Sequence, residues 1–175
     1  MGDVFKEQIV KRQKSFKDTV IKACIIVLSV LISFWALINL AQLAVLVIFA
    51  LFFGARYGMS FFNVEYEYAL TNGELDIDVI YDRARRKRVL TVNTKSFEVM
   101  AHIDDRSHDH SFNTAQQTLD YSTGVHSANT YAFLTIYKSK KVKVIIEPNE
   151  KMLKAFSMAV PRRQFHLKSG TVLLP

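Results

Sequence analysis

The sequence predicts a membrane α-helical hairpin followed by a mainly-β (α+β) soluble domain, a small antiparallel barrel capped by a C-terminal helix. Three observations carry this. Residues 23–55 form an apolar block of 33 positions without a formal charge. From Val64 onward the pattern becomes apolar-polar alternation, punctuated by Asn72-Gly73. An amphipathic stretch between Pro148 and Pro161 closes the pattern.

The chain has 175 residues and a formal net charge of +7, and the charge is unevenly spread. Lys6, Lys11, Arg12, Lys14, Lys17 and Lys22 stand against Asp3, Glu7 and Asp18 in the first 22 residues, giving that segment +3. The remaining +4 is spread over everything from Arg56 onward, too dilute for a nucleic-acid binder, so no nucleic acid is expected as a partner. The single cysteine, Cys24, excludes an intramolecular disulfide and a cysteine metal cluster.

Residues 1–19 are read as a basic amphipathic leader. Phe5, Ile9, Phe16 and Val20 recur at roughly helical spacing with cations between them, as in a helix lying on an anionic leaflet or in a solvated extension of the first membrane helix.

Residues 20–58 are read as the transmembrane hairpin. The apolar block is far longer than the ~18 residues that mark a spanning helix and longer than the ~7–15 of a signal-peptide core. As one helix it would run about 50 Å against a hydrocarbon core of about 30 Å. Two helices, about 21–38 and 40–57, fit better, with Asn39 and Gln42 at the turn. No Gly or Pro marks that turn, so one long tilted helix is the competing arrangement. Basic residues flank both ends, and the positive-inside rule then places both termini and the soluble domain in the cytoplasm, the protein being a two-span protein of the cell membrane.

Residues 61–175 are assigned to one domain. Val64–Ala69 alternates as a strand, Asn72-Gly73 suits the positive φ of a type I′ turn, and Leu75, Ile77 and Val79 resume the alternation against Glu74, Asp76 and Asp78. A basic turn, Arg83–Arg88, leads to strands near Val89–Val92 and Phe97–Ile103. Asp104–Ser127 reads as a polar loop with a short helix around Thr114–Leu119. Tyr131–Tyr137 and Val142–Glu147 should pair antiparallel across Lys138–Lys141. Asn149 caps a helix whose apolar stripe is Met152, Leu153, Phe156, Ala159 and Val160, and Pro161 ends it. Gln164–Leu174 is read as a last short strand.

Tyr68-Ala-Leu-Thr-Asn-Gly73, the basic turn before Arg88-Val-Leu90, and Glu147-Pro-Asn-Glu150 together resemble bacterial pleckstrin-homology-like domains found after paired membrane helices. The matches at VEYEYALTNGELDID, RRKRVLTVNTKSFEVMA and VIIEPNEKMLKAF, with VPRR after them, are similar to a family of small bacterial membrane proteins carrying a domain of unknown function. The resemblance covers most of residues 20–167 and implies a binding scaffold, with no catalytic residues to carry over.

Two clusters are candidate sites. Arg83, Arg85, Arg86, Lys87 and Arg88 put five cations at a hairpin tip that could bind anionic lipid headgroups or another membrane protein, or simply balance Glu74, Asp76 and Asp78. His102, His108 and His110, with Asp104, Asp105 and Asp109, offer metal donors, but on a loop whose spacing enforces no geometry. The expected function is a bilayer-anchored interaction or scaffold module without catalysis or cofactor. The alternatives are a metal-dependent hydrolase using the His102–His110 loop and a non-catalytic subunit of a larger membrane complex. No phosphate loop or nucleophile elbow supports an enzyme.

Overall fold

The computed structural model describes residues 5–161 and 164–166. The chain opens with a strand, β1 (Phe5–Lys11), and then forms two helices, α1 (Phe16–Asn39) and α2 (Ala44–Ser60), joined by a single 3-10 turn at Ala41–Leu43. Both helical segments are long and apolar enough to cross a membrane, at 24 residues for Phe16–Asn39 and 20 for Ala41–Ser60. At 1.5 Å per residue these are about 36 and 30 Å long.

The turn forms without Gly or Pro. Ala41 takes φ +40°, Leu40 N–H donates to Ala36 O, and Asn39 Nδ2 donates to Trp35 O. Ala36 and Ala44 are fully buried where the helices pack together, because only small side chains permit that approach. Ser29 and Ser33 return their hydroxyls to the carbonyls one turn back, so neither leaves an unsatisfied donor on the apolar surface.

The β-rich part is built from two sheets. β2 (Val64–Thr71), β3 (Glu74–Tyr81) and β4 (Arg85–Asn93) continue antiparallel from β1, in the order β1-β2-β3-β4. Asn72 and Gly73 both take positive φ, as the type I′ turn requires. The second sheet comprises β5 (Val99–His102), β6 (Gln117–Asp120), β7 (Tyr131–Tyr137), β8 (Lys140–Ile146) and β9 (Phe165–His166), in the order β6-β8-β7-β5-β9. A short helix, α3 (Asp109–Phe112), lies between β5 and β6, and α4 (Glu150–Ala159) follows β8. Asn149 caps α4 by accepting Met152 N–H. Tyr68, Leu75, Ile77, Leu90, Phe133, Val144 and Phe156, all at or near zero exposure, form one core between the two sheets and α4. Phe97 stacks on Phe133 there, with ring centroids 4.1 Å apart.

Several expectations are corrected. The leader is not a helix: Phe5–Lys11 is extended and pairs residue by residue with β2, from Phe5 opposite Thr71 to Lys11 opposite Glu65. The apparent helical spacing joined two elements, since Phe5 and Ile9 share the outward side of a strand while Phe16 and Val20 belong to α1. Val10 and Gln8 point the other way, Val10 into the core. The sheets do not close as a barrel, because β4 and β6 are both edge strands and β5 pairs with β7 and β9. The basic stretch from Arg85 is strand, not turn. The expected helix at Thr114–Leu119 is instead α3 a few residues earlier and the polar edge strand β6, parallel to β8. Of the last expected strand only Phe165–His166 is seen, and Leu167–Leu174 lies outside the described residues.

Candidate functional site

Alternation places Glu65, Glu67, Asp76 and Asp78 on the outward face of the first sheet. Glu67 and Asp78 are nevertheless only 6 % exposed, because arginines from β4 and the preceding turn lie across them. Arg86 pairs with Glu67 and, at 2.8 Å, with Asp78; Arg88 reaches Asp76 at 2.7 Å and Asp78 at 2.8 Å; Arg83 reaches Glu65 at 3.3 Å. Three of the five expected tip cations are thus engaged with the acidic face. That pairing stabilises the sheet, since desolvated carboxylates of one sign on adjacent strands would otherwise repel.

Arg85 has a different task. Its guanidinium sits 4.9 Å from the ring centres of both Tyr57 and Phe61 and donates to Ser60 Oγ at 2.8 Å, so it joins the end of α2 to the start of β4. Beside it, Arg56 donates to Asp82 at 2.8 Å, and Asn63 Nδ2 donates to the other carboxylate oxygen at 3.1 Å. These bonds, Arg56 first, hold the Asp82 carboxyl below its ordinary range. Asp82 keeps its charge to lower pH than usual, so this junction persists on mild acidification and is lost as pH falls through the depressed value. Lys87, which alternates with Arg86 and Arg88 along β4, faces the other side of the strand, toward the gap between the sheets.

The histidines do not converge. His102 is 1 % exposed; it accepts Asp104 N–H at Nδ1 and bonds Ala128 O through Nε2, which places the ring proton on Nε2. His108 packs against His166 with ring centres 4.1 Å apart, and His110 is exposed. Among the described residues no three His, Cys, Asp or Glu side chains come together to hold a metal ion. The donors expected from the sequence split between core and surface because β5 turns His102 inward.

Glu147 entered the sequence reading only as part of the Glu147-Pro-Asn-Glu150 motif, and Gln8 did not enter it. Glu147 accepts Thr123 N–H and the Ser127 hydroxyl, pinning the loop that follows β6, and that loop accepts Gln13 N–H at Thr123 O. Gln8 donates to Glu147 O and accepts Asn149 N–H, so β1 is bound to the entry of α4 as well as to β2. The Glu147-Pro-Asn-Glu150 motif is therefore the fastening point of the first strand. A family model described as Bacterial PH-like domain (DUF6106) matches residues 2–166. The chain belongs to that family. The match runs through β1 and the helical hairpin as well as both sheets, so in this PH-like domain the hairpin is an insertion between two paired strands. No curated protein and no solved structure matched the chain.

Tyr68, at the centre of the PH-like core, donates its hydroxyl to Tyr121 O and accepts Glu147 N–H. Burial above all pushes its pKa well above that of an ordinary phenol. A raised folded-state pKa means that stability is intact below about pH 10 and is lost as pH rises beyond it. Tyr68→Phe is expected to cost about 1–3 kcal/mol at neutral pH, by stranding two backbone groups, and to flatten part of the alkaline decline. Chemical unfolding of the detergent-solubilised chain at neutral and alkaline pH measures both effects.

Proposed function

We propose that this chain is a non-catalytic binding module whose helical hairpin crosses the bacterial cytoplasmic membrane twice and holds the PH-like domain against the inner leaflet. The observation that carries the reading is the pairing of β1 with β2. The hairpin leaves the domain after Lys11 and returns before Val64, and those two strand ends lie side by side, Lys11 opposite Glu65. Both ends of the hairpin must therefore emerge on one face of any bilayer it enters, which demands an even number of crossings.

Exposure points the same way. Phe34, Trp35, Leu37, Leu46, Phe49, Phe52 and Phe53 are each more than half exposed, a contiguous apolar surface that water would penalise and lipid would not. Lys11, Arg12, Lys14, Lys17, Lys22 and Arg56 flank the two ends of the hairpin, and by the positive-inside rule this supports a cytoplasmic position for that face. At this surface Arg83, Arg86 and Arg88 are occupied by carboxylates, so anionic headgroups are met chiefly by the linker residues Arg12 and Lys14.

Washing membranes with ~1 M salt, which shortens electrostatic reach to about 3 Å, tests the anchoring. The chain is expected to stay in the pellet and to leave only with detergent. Release by salt alone would show a peripheral protein and overturn the proposal.

A further inference from the structure

The failure of the two sheets to close leaves a groove between the free edges of β4 and β6, and its lining is chemically one-sided. The cavity is about 520 Å³. Lys87, Lys138 and Lys140 stand around it beside Arg88, while Leu119, Tyr121 and Val142 form an apolar floor, and among the described residues no carboxylate lines it. Lys87 and Lys140 are exposed and, among the described residues, pair with no carboxylate, whereas the neighbouring Arg86 and Arg88 are engaged by the acidic face. At the inner end the Tyr137 hydroxyl donates to Val89 O, across from the sheet it belongs to. Val89 sits where the β3–β4 register shifts, so the bulge turns its carbonyl out of the ladder and toward the groove.

We infer that this groove binds an acidic, extended peptide segment of a partner protein, adding it as a strand to the β4 or β6 edge. Edge strands present unpaired N–H and C=O groups along their length, which an extended backbone satisfies and a lipid headgroup does not. A strand laid there presents alternate side chains to opposite sides, so apolar residues would meet the Leu119–Tyr121 floor and acidic residues the three lysines. Charge complementarity with Lys87, Lys138 and Lys140, which pair with no carboxylate among the described residues, selects glutamate or aspartate over a neutral or basic partner. The groove lies wholly within the β-rich part, so this inference does not depend on the membrane reading.

The test uses the full chain in detergent micelles and a fluorescent peptide of alternating Glu and Val. Binding to the wild-type chain is expected, with at least about a tenfold loss in the Lys87→Glu/Lys140→Glu double variant. A peptide of the same side chains, N-methylated at alternate amides, is expected to lose about as much, because it cannot complete the ladder. Since both lysines are exposed, circular dichroism of the double variant should match wild type. Equal binding of both peptides would reduce the effect to charge attraction and overturn strand addition. Undiminished binding by the double variant would move the peptide elsewhere, and displacement of the peptide by short-chain phosphatidylglycerol would assign the groove to lipid instead; either result overturns the inference.

Discussion

Replacing Val10 with Asp is expected to detach β1 from the PH-like domain. Val10 is 6 % exposed and belongs to the main core, so the substitution forfeits about 1.5–3 kcal/mol of apolar burial and adds the cost of burying a carboxylate. An edge strand of seven residues cannot absorb such a loss, and it unzips before the rest of the sheet. Hydrogen exchange should then quicken in β1 and along the matching edge of β2, while β7 and β8 stay protected. Ile9→Thr, on the outward side of the same strand where Ile9 is 56 % exposed, is expected to change stability by less than about 0.5 kcal/mol. Equal effects at the two positions would mean that β1 is not docked as described.

Arg86 and Lys87 are neighbours of the same charge, and their substitution is expected to separate structure from binding. Arg86→Ala leaves Glu67 without its cation and halves the compensation at Asp78, both nearly buried. Removing one partner of a fully desolvated pair costs about 3–5 kcal/mol, and the half-exposed Arg86 brings this case below that range, to about 2–3 kcal/mol. Lys87→Ala touches no ion pair and should leave stability within about 0.5 kcal/mol while weakening acidic-peptide binding. Denaturant unfolding and peptide titration of the two variants read this directly. A destabilised Lys87→Ala beside a neutral Arg86→Ala would invert the assignment of the two side chains.

Much of this architecture is written in local pattern. Asn72-Gly73, the alternation on either side of it, and the Asn149 cap each depend on neighbours a few residues away, so the β2–β3 hairpin and α4 follow from short-range rules. The helical hairpin followed from length alone, although its turn uses a positive φ at Ala41, which no rule about Gly or Pro anticipates. What escaped was non-local. β1 meets β2 across a 52-residue excursion from residue 12 to residue 63, and nothing in Phe5–Lys11 taken by itself distinguishes a docked strand from an amphipathic leader. The five cations formed an evident cluster, yet their fate depended on Glu67, two strands away, and on the strand alternation that sets Lys87 on the side opposite Arg86 and Arg88. The histidine loop failed as a site because β5 commits His102 to the core, a choice set by its pairing with β7. Barrel closure likewise depends on which edges meet, and edges carry no sequence signature of their partner.

The central claim is that the hairpin makes two crossings and that its turn lies opposite the PH-like domain. In a Cys24→Ser background, a cysteine at Gln42 in the turn and another at Lys95 in the domain can be labelled with a membrane-impermeant maleimide on intact spheroplasts. Gln42→Cys is expected to react at once and Lys95→Cys only after the membrane is permeabilised. Labelling of both positions, or of neither, before permeabilisation would contradict the two-crossing arrangement.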